Sequence, residues 1–238
     1  MSVTIKISRS HAKRAAYTED YTVEYEKGMT VLMVLEHIRE SMDATLSFRW
    51  NCRAGRCGSC AMEINGIPAL ACKAEIPADA KEISVAPMKI FPAVRDLVVD
   101  LTPMREGLRK IGGFQSAQKP FFKMHDYDIE IAGEMRRCIE CGICQDVCHV
   151  LREHKKNYAG PRFAVKAAAN EMHPEDRESR AAEMEKLGLG YCNVTKCCQS
   201  VCPEKIRITD DAIIPMKEKI AGLQRKEFFK KILGGGKK

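Results

Sequence analysis

Twelve cysteines stand in this chain of 238 residues, and their spacing sorts them into three groups of four. The first is Cys52-Arg-Ala-Gly-Arg-Cys57-Gly-Ser-Cys60, followed at a distance by Cys72. Gaps of four and then two residues with a remote fourth cysteine match the plant-type layout that holds a two-iron (2Fe-2S) cluster. Gly55 and Gly58 suit a loop that wraps its backbone around a metal, because they accept left-handed dihedrals. The second group is Cys138-x-x-Cys141-x-x-Cys144-x-x-x-Cys148. That run serves two clusters at once, its fourth cysteine crossing to the neighbour. The third group, Cys192-x-x-Thr195-x-x-Cys198-x-x-x-Cys202-Pro203, repeats the run with threonine in place of the second cysteine. Crossing the fourth ligands gives Cys138, Cys141, Cys144 and Cys202 to a four-iron (4Fe-4S) cluster and leaves Cys148, Cys192 and Cys198 for the other. A hydroxyl is a poor ligand for a soft metal, so three thiolates point to a three-iron (3Fe-4S) cluster. Cys197 is left as a spare thiol and an alternative ligand that could recruit a fourth iron.

Other uses of cysteine fit less well. Structural zinc sites seldom combine three cysteines at x-x spacing with a fourth three residues on. Disulfides belong to oxidising compartments, and Met1-Ser-Val-Thr-Ile-Lys-Ile-Ser8 lacks the apolar stretch of a secretory leader, which points to the cytoplasm. No run of eighteen apolar residues is present to span a bilayer. The formal charge of +7 counts every thiol as neutral. Each oxidised cluster with its thiolates carries roughly −2, which brings the total close to zero and argues against a nucleic-acid partner.

The elements that must position these loops read as α+β. Val3–Ile7 and Tyr21–Tyr25 alternate like strands. Residues 30–41 carry apolar side chains at helical spacing behind Thr30 as N-cap. Asn65-Gly66 predicts a hairpin turn that returns Cys72 to Cys60 at the open end. With Glu82–Ala86 these form a β-grasp unit over 1–104. The stretch from Pro92 to Val99 predicts a short helix, and 105–124, with Gly112-Gly113, a connector. An all-α dicluster domain over 125–238 follows, with helices near 139–151, 162–172 and 178–187 and another after Thr209-Asp-Asp211 that Pro215 interrupts.

Taken together, Cys-Arg-Ala-Gly-x-Cys-Gly-Ser-Cys, Asn-Gly, Leu-Ala-Cys72 and the two later runs resemble the iron–sulfur subunit of succinate dehydrogenase and fumarate reductase over nearly the whole chain. The resemblance implies a relay: FAD in a flavoprotein subunit, then the two-iron, four-iron and three-iron clusters, then menaquinone or ubiquinone at a cytochrome b-type membrane anchor that can carry haem b. It implies a peripheral place on the cytoplasmic face of the cell membrane and no substrate chemistry on this chain itself. Many members of the family continue past the equivalent of Cys148 with proline and a tryptophan beside a quinone, whereas this chain reads Cys148-His-Val-Leu-Arg-Glu153. That leans towards relatives that oxidise menaquinol elsewhere in the anchor. The spare Cys197 is similar to a feature of cysteine-rich relatives tied to thiol or heterodisulfide chemistry, and a soluble multi-cluster carrier of ferredoxin type is the other alternative.

His149 and Lys196, beside Cys148 and Cys198, are placed to hydrogen-bond sulfur or a quinone oxygen. Near the end, 225–238 joins Phe228, Phe229 and Leu233 to a basic tail suited to anionic lipid or to a solvated terminus.

Overall fold

The computed structural model describes residues 2–11, 14–116 and 123–233. The chain divides into two units, and the division is not a single cut: residues 1–103 gather 139–147 and 201–203 to themselves, while 104–138, 148–200 and 204–238 form the other.

In the first unit β1 (Ser2–His11) and β2 (Arg14–Glu24) pair antiparallel, α1 (Val31–Ser41) follows, and β3 (Ala61–Ile64) and β4 (Ile67–Leu70) make a hairpin before β5 (Glu82–Ala86). The sheet order is β2-β1-β5-β3-β4, with β1 and β5 parallel. Parallel neighbours need a long crossover, and α1 lies within it. Alternation buries Val3, Ile5 and Ile7 on one strand face and Ile83 and Val85 on its neighbour. The helix adds Val31, Leu32, Val34, Leu35 and Ile38. Each such side chain contributes about 1.5–3 kcal/mol on leaving water. Thr30 caps the helix, its hydroxyl accepting from the Met33 amide at 3.3 Å.

The expected helix over Pro92–Val99 is instead a two-stranded ribbon, β6 (Ala93–Arg95) and β7 (Val98–Val99). Asp96 turns it with φ of 47°. Its buried carboxylate accepts from the Arg9 Nε at 3.1 Å, the Ser10 amide at 3.2 Å and the Ser47 amide at 2.9 Å. Those three donors come from segments remote in sequence, and a local helix offers nothing to replace them.

The second unit is helical. It holds most of α2 (Thr102–Lys110), then α3 (Asp126–Arg136). The expected helix across 139–151 is two short pieces, α4 (Ile143–Asp146) in the first unit and α5 (His149–Glu153) in the second, because Cys148 between them is extended. Then come α6 (Pro161–Glu171), α7 (Ala181–Lys186) and α8 (Cys197–Ser200). A π-helical turn (Ile208–Ile213) leads into α9 (Ile214–Leu233). Pro215 does not break that last helix. It directly follows the π-helical turn, and the helix continues through it to Leu233. Helix α6 packs against the π-turn and α3, and its Ala164, Ala167 and Ala168 are fully buried. Of the expected connector, residues 105–110 belong to α2, and Gly112 and Gly113 are held by Arg180, which is 1% exposed: it donates to the Gly112 carbonyl at 2.9 Å and to that of Gly113, while pairing with Asp176 at 2.9 Å.

Candidate cluster sites

The three cysteine groups fold into loops with one backbone habit. Outside glycine, left-handed dihedrals fall at seven positions among the described residues, and five of them lie within three residues of a cysteine: Arg53, Glu140, Val194, Lys196 and Lys205. Ordinary residues avoid that region. Where right- and left-handed residues alternate, successive amides turn into one concavity that binds sulfide or anions.

In the first loop Arg53, Gly55 and Gly58 are all left-handed, at φ of 54°, 75° and 69°. The amides of Ala54 and Arg56 consequently donate to the Cys52 sulfur at 3.4 and 3.2 Å. The hairpin turns at Asn65-Gly66 with both residues left-handed, and the Ala71 amide reaches the Cys60 carbonyl at 3.0 Å, so Cys60 and Cys72 stand side by side at its open end. Burial works against ionisation at Cys57, but donors from Cys52 and Ser59 prevail and bring its thiol down to about 6. Burial pushes Cys60 up to about 12, and the neighbouring Cys72 sulfur adds to the shift.

Gly58 has a second duty. A Cβ there would lie 2.7 Å from the Cys141 Cβ and 2.9 Å from its Cα. The two-iron loop therefore presses directly on a cysteine of the second group, with no room for an intervening side chain. Cys141 and Cys144 are buried, α4 starting after left-handed Gly142. Asp146, fully buried, holds this loop by accepting from the Ile90 amide at 3.0 Å. Cys202 belongs to the same unit, whereas Cys138 closes α3 in the other.

The third site is a small pocket, partly open to solvent, lined by Cys148, Cys192, Cys197 and Cys198 with Tyr158 and Thr209. Gly188 brings its walls together: a Cβ there would overlap the Asn157 carbonyl at 1.7 Å, and its φ is 75°. That approach sets the loop bearing Tyr158 against the loop leading to Cys192, locked by the Ala159 amide on the Leu187 carbonyl at 2.9 Å. Lys217 donates to the Cys192 carbonyl at 2.6 Å. The π-turn sets the Thr209 hydroxyl 3.6 Å from the Cys198 sulfur, its backbone amide held by the Gln199 carboxamide at 3.1 Å. Wide helical turns of this kind often mark functional positions.

Cys197 is the centre of a small network. Thr195 donates to its sulfur at 3.7 Å, and the His149 Nδ1 lies at 3.9 Å, that ring being braced through Nε2 by the Asn193 carboxamide at 2.9 Å. Hydrogen bonds from Cys148 and then Cys198 hold the Cys197 thiol well below its ordinary value, while the same contact with Cys197, followed by burial, pushes Cys148 up. Lys196, expected near sulfur, is instead taken by Asp210 at 2.8 Å.

Two contributors escaped the sequence. Tyr158 is 2% exposed, and its hydroxyl has no nitrogen or oxygen partner. Burial raises its pKa first, and the charges of Cys192, Cys148 and Cys198 and a hydrogen bond with the Cys192 sulfur raise it further. Thr209 reads in sequence only as a helix-start signal. Soft thiolates, inward amides and a buried hydroxyl already bonded to a cysteine sulfur fit iron–sulfur clusters, which accept hydrogen bonds at sulfur.

Known proteins share this arrangement. Residues 4–106 match the 2Fe-2S iron-sulfur cluster binding domain, and 134–206 match the 4Fe-4S dicluster domain. The chain is 40% identical to a chain of the Mycobacterium smegmatis Sdh1 complex, with a TM-score of 0.87 over 94% of this chain and 97% of that one. It is 32% identical to the fumarate reductase iron-sulfur subunit of Wolinella succinogenes, covering 94% of this chain and 96% of the relative. It is 34% identical over 83% of its length to a fumarate reductase (CoM/CoB) subunit from Methanothermobacter marburgensis, of which it spans only 40%. Soft-ligand loops of two ferredoxin types, in this order and at these identities, make the chain a member of the family of succinate dehydrogenase and fumarate reductase iron–sulfur subunits.

Proposed function

We propose that this subunit passes electrons one at a time between a flavoprotein that oxidises succinate or reduces fumarate and a quinone-reactive membrane anchor. The ligand sets follow from spacing: Cys52, Cys57, Cys60 and Cys72 for the two-iron cluster, Cys138, Cys141, Cys144 and Cys202 for the four-iron cluster, and Cys148, Cys192 and Cys198 for a three-iron cluster. The clusters supply reversible one-electron chemistry at fixed geometry. This chain's own residues do the rest. They turn amides and the Thr209 and Tyr158 hydroxyls towards sulfur, and they hold successive loops in contact at Gly58 and Cys141.

The single observation that best supports the reading is that contact, because it joins two of the cysteine loops without a spacer. No helix among the described residues is long and apolar enough to cross a membrane.

Low-temperature EPR on the complex tests this. Succinate added anaerobically is expected to reduce part of the iron, with a three-iron signal in the oxidised sample and a two-iron signal on reduction. Colourless protein that binds only zinc would overturn the reading. A second reading, a fumarate reductase driven by thiols, draws on the similarity to the CoM/CoB enzyme. Fumarate reduction supported by a dithiol donor and not by quinol would favour it.

A further inference from the structure

Cys197 is not a stray core thiol. Consecutive side chains on a helix diverge by about 100°, yet Cys197 and Cys198 line the same pocket. The left-handed Lys196, at φ of 62°, turns the chain just before the helix that carries both. Thr195 occupies the place of the missing cysteine in the repeated run, and its hydroxyl is aimed at the Cys197 sulfur. The thiol that the run lacks at 195 is therefore supplied two residues later. Cys148, on the opposite wall, shares a hydrogen bond with it. Four sulfurs, Cys148, Cys192, Cys197 and Cys198, line one opening, and the buried Tyr158 hydroxyl hydrogen-bonds to one of them, Cys192.

We propose that Cys197 is a conditional fourth ligand, which lets the third site exchange between a three-iron and a four-iron cluster by taking up or releasing one ferrous ion. The inference rests on the three-iron reading above. The balance is closed. A cluster with three ferric ions gains one electron from the neighbouring carriers, or from dithionite in the test. It then binds one ferrous ion, and the Cys197 thiol forms the fourth iron–sulfur bond and releases its proton to water. The product holds two ferric and two ferrous ions. Loss of one electron and departure of the ferrous ion reverse the step, and the thiol recovers its proton. The Thr195 and His149 contacts hold the Cys197 sulfur at the rim between the two states. A fourth thiolate adds negative charge and changes cluster type, both of which set reduction potential. Iron and reductant together would thereby retune the last carrier of the relay.

The test uses the complex purified without oxygen, as wild type and as Cys197→Ala, incubated with dithionite and ferrous ammonium sulfate and then reoxidised mildly for EPR. Wild type is expected to lose most of its three-iron signal and gain a second four-iron signal on re-reduction. In Cys197→Ala the ferrous concentration for half conversion rises at least about tenfold, the lower end of what losing even a supporting residue costs a metal site. An unchanged two-iron signal in the variant shows that the chain has folded. Equal conversion in both proteins overturns the proposal, as does no conversion in wild type. A wild type that carries two four-iron signals as isolated, one of them lost in Cys197→Ala, sinks the three-iron reading while supporting Cys197 as a ligand. No third-cluster signal of either kind in wild type sinks both.

Discussion

Thr209 shows how much one hydroxyl can decide. Its Oγ1 lies 3.6 Å from the Cys198 sulfur and is fully buried. A donor to sulfur favours the reduced cluster, whose negative charge is larger, and so raises the potential. Replacing it with valine keeps the shape and removes the donor. At about 0.5–1.5 kcal/mol for a net hydrogen bond and 59 mV per tenfold for one electron, Thr209→Val is expected to lower the third cluster's potential by about 20–60 mV in an EPR-monitored redox titration. Thr209→Ser should restore most of it, and an unchanged potential would leave Thr209 with a packing role only. Asp43 is tuned in another way. It accepts from the Thr45 hydroxyl at 2.6 Å and its amide at 2.8 Å, from Tyr21 at 2.8 Å and from Arg9. The Thr45 hydroxyl first, against burial, then Arg9, the Thr45 amide and Tyr21 hold its pKa well below the carboxylate range. A depressed folded value means stability that is complete above the unfolded pKa near 4 and is lost as pH falls through the folded one. Wild type should exceed Asp43→Asn in unfolding free energy by about 1.5–3 kcal/mol at pH 7, the worth of a hydrogen bond to a charged group. The gap should narrow only below pH 4. A gap constant from pH 7 down to pH 3 would show that charge is not its source.

At the scale of elements, the sequence was most legible where a local rule had no competitor. The 30–41 helix with its Thr30 cap and the Asn65-Gly66 hairpin stand where period and turn chemistry put them. Legibility failed where a distant partner decided the outcome. Asp96 turns a ribbon for the sake of Arg9, Ser10 and Ser47, and Arg180 orders Gly112 and Gly113 from a site 67 residues away. The cysteine groups could be read because ligand spacing is itself local. The left-handed Val194 and Lys196 could not, since nothing in a valine or a lysine announces that dihedral. Gly188 lies between these cases: a glycine after a helix is expected, but its approach to Asn157 is visible only in three dimensions. Gly188→Ala must relieve a 1.7 Å overlap with backbone and adopt a left-handed alanine. The cost is about 2–4 kcal/mol from overpacking and dihedral strain. Because the pocket walls meet at that point, the third cluster should be lost while the two-iron signal stays. Retention of all three signals with an unchanged melting temperature would mean that the walls can part without harm.

For the whole molecule, the order of the cysteine groups matters more than any one potential. The first loop touches the second at Gly58 and Cys141. In the proposed assignment, the second and third ligand sets share a run in which Cys144 and Cys148 are separated by three residues. Four peptide units cannot hold those two cysteines more than about 14 Å apart, so chain connectivity alone keeps consecutive carriers within reach of each other. A relay arranged this way has a middle that cannot be bypassed. In the complex, Cys144→Ala is expected to abolish the four-iron signal and leave the two-iron cluster reducible by succinate within a normal turnover. Reduction of the third cluster by succinate should become slower by orders of magnitude, although dithionite, which reaches it from solution, still reduces it. Rapid-freeze EPR separates the two routes. If succinate reduced the third cluster equally fast in the variant, electrons would have a path that does not pass through Cys144, and the linear order of carriers would have to be given up.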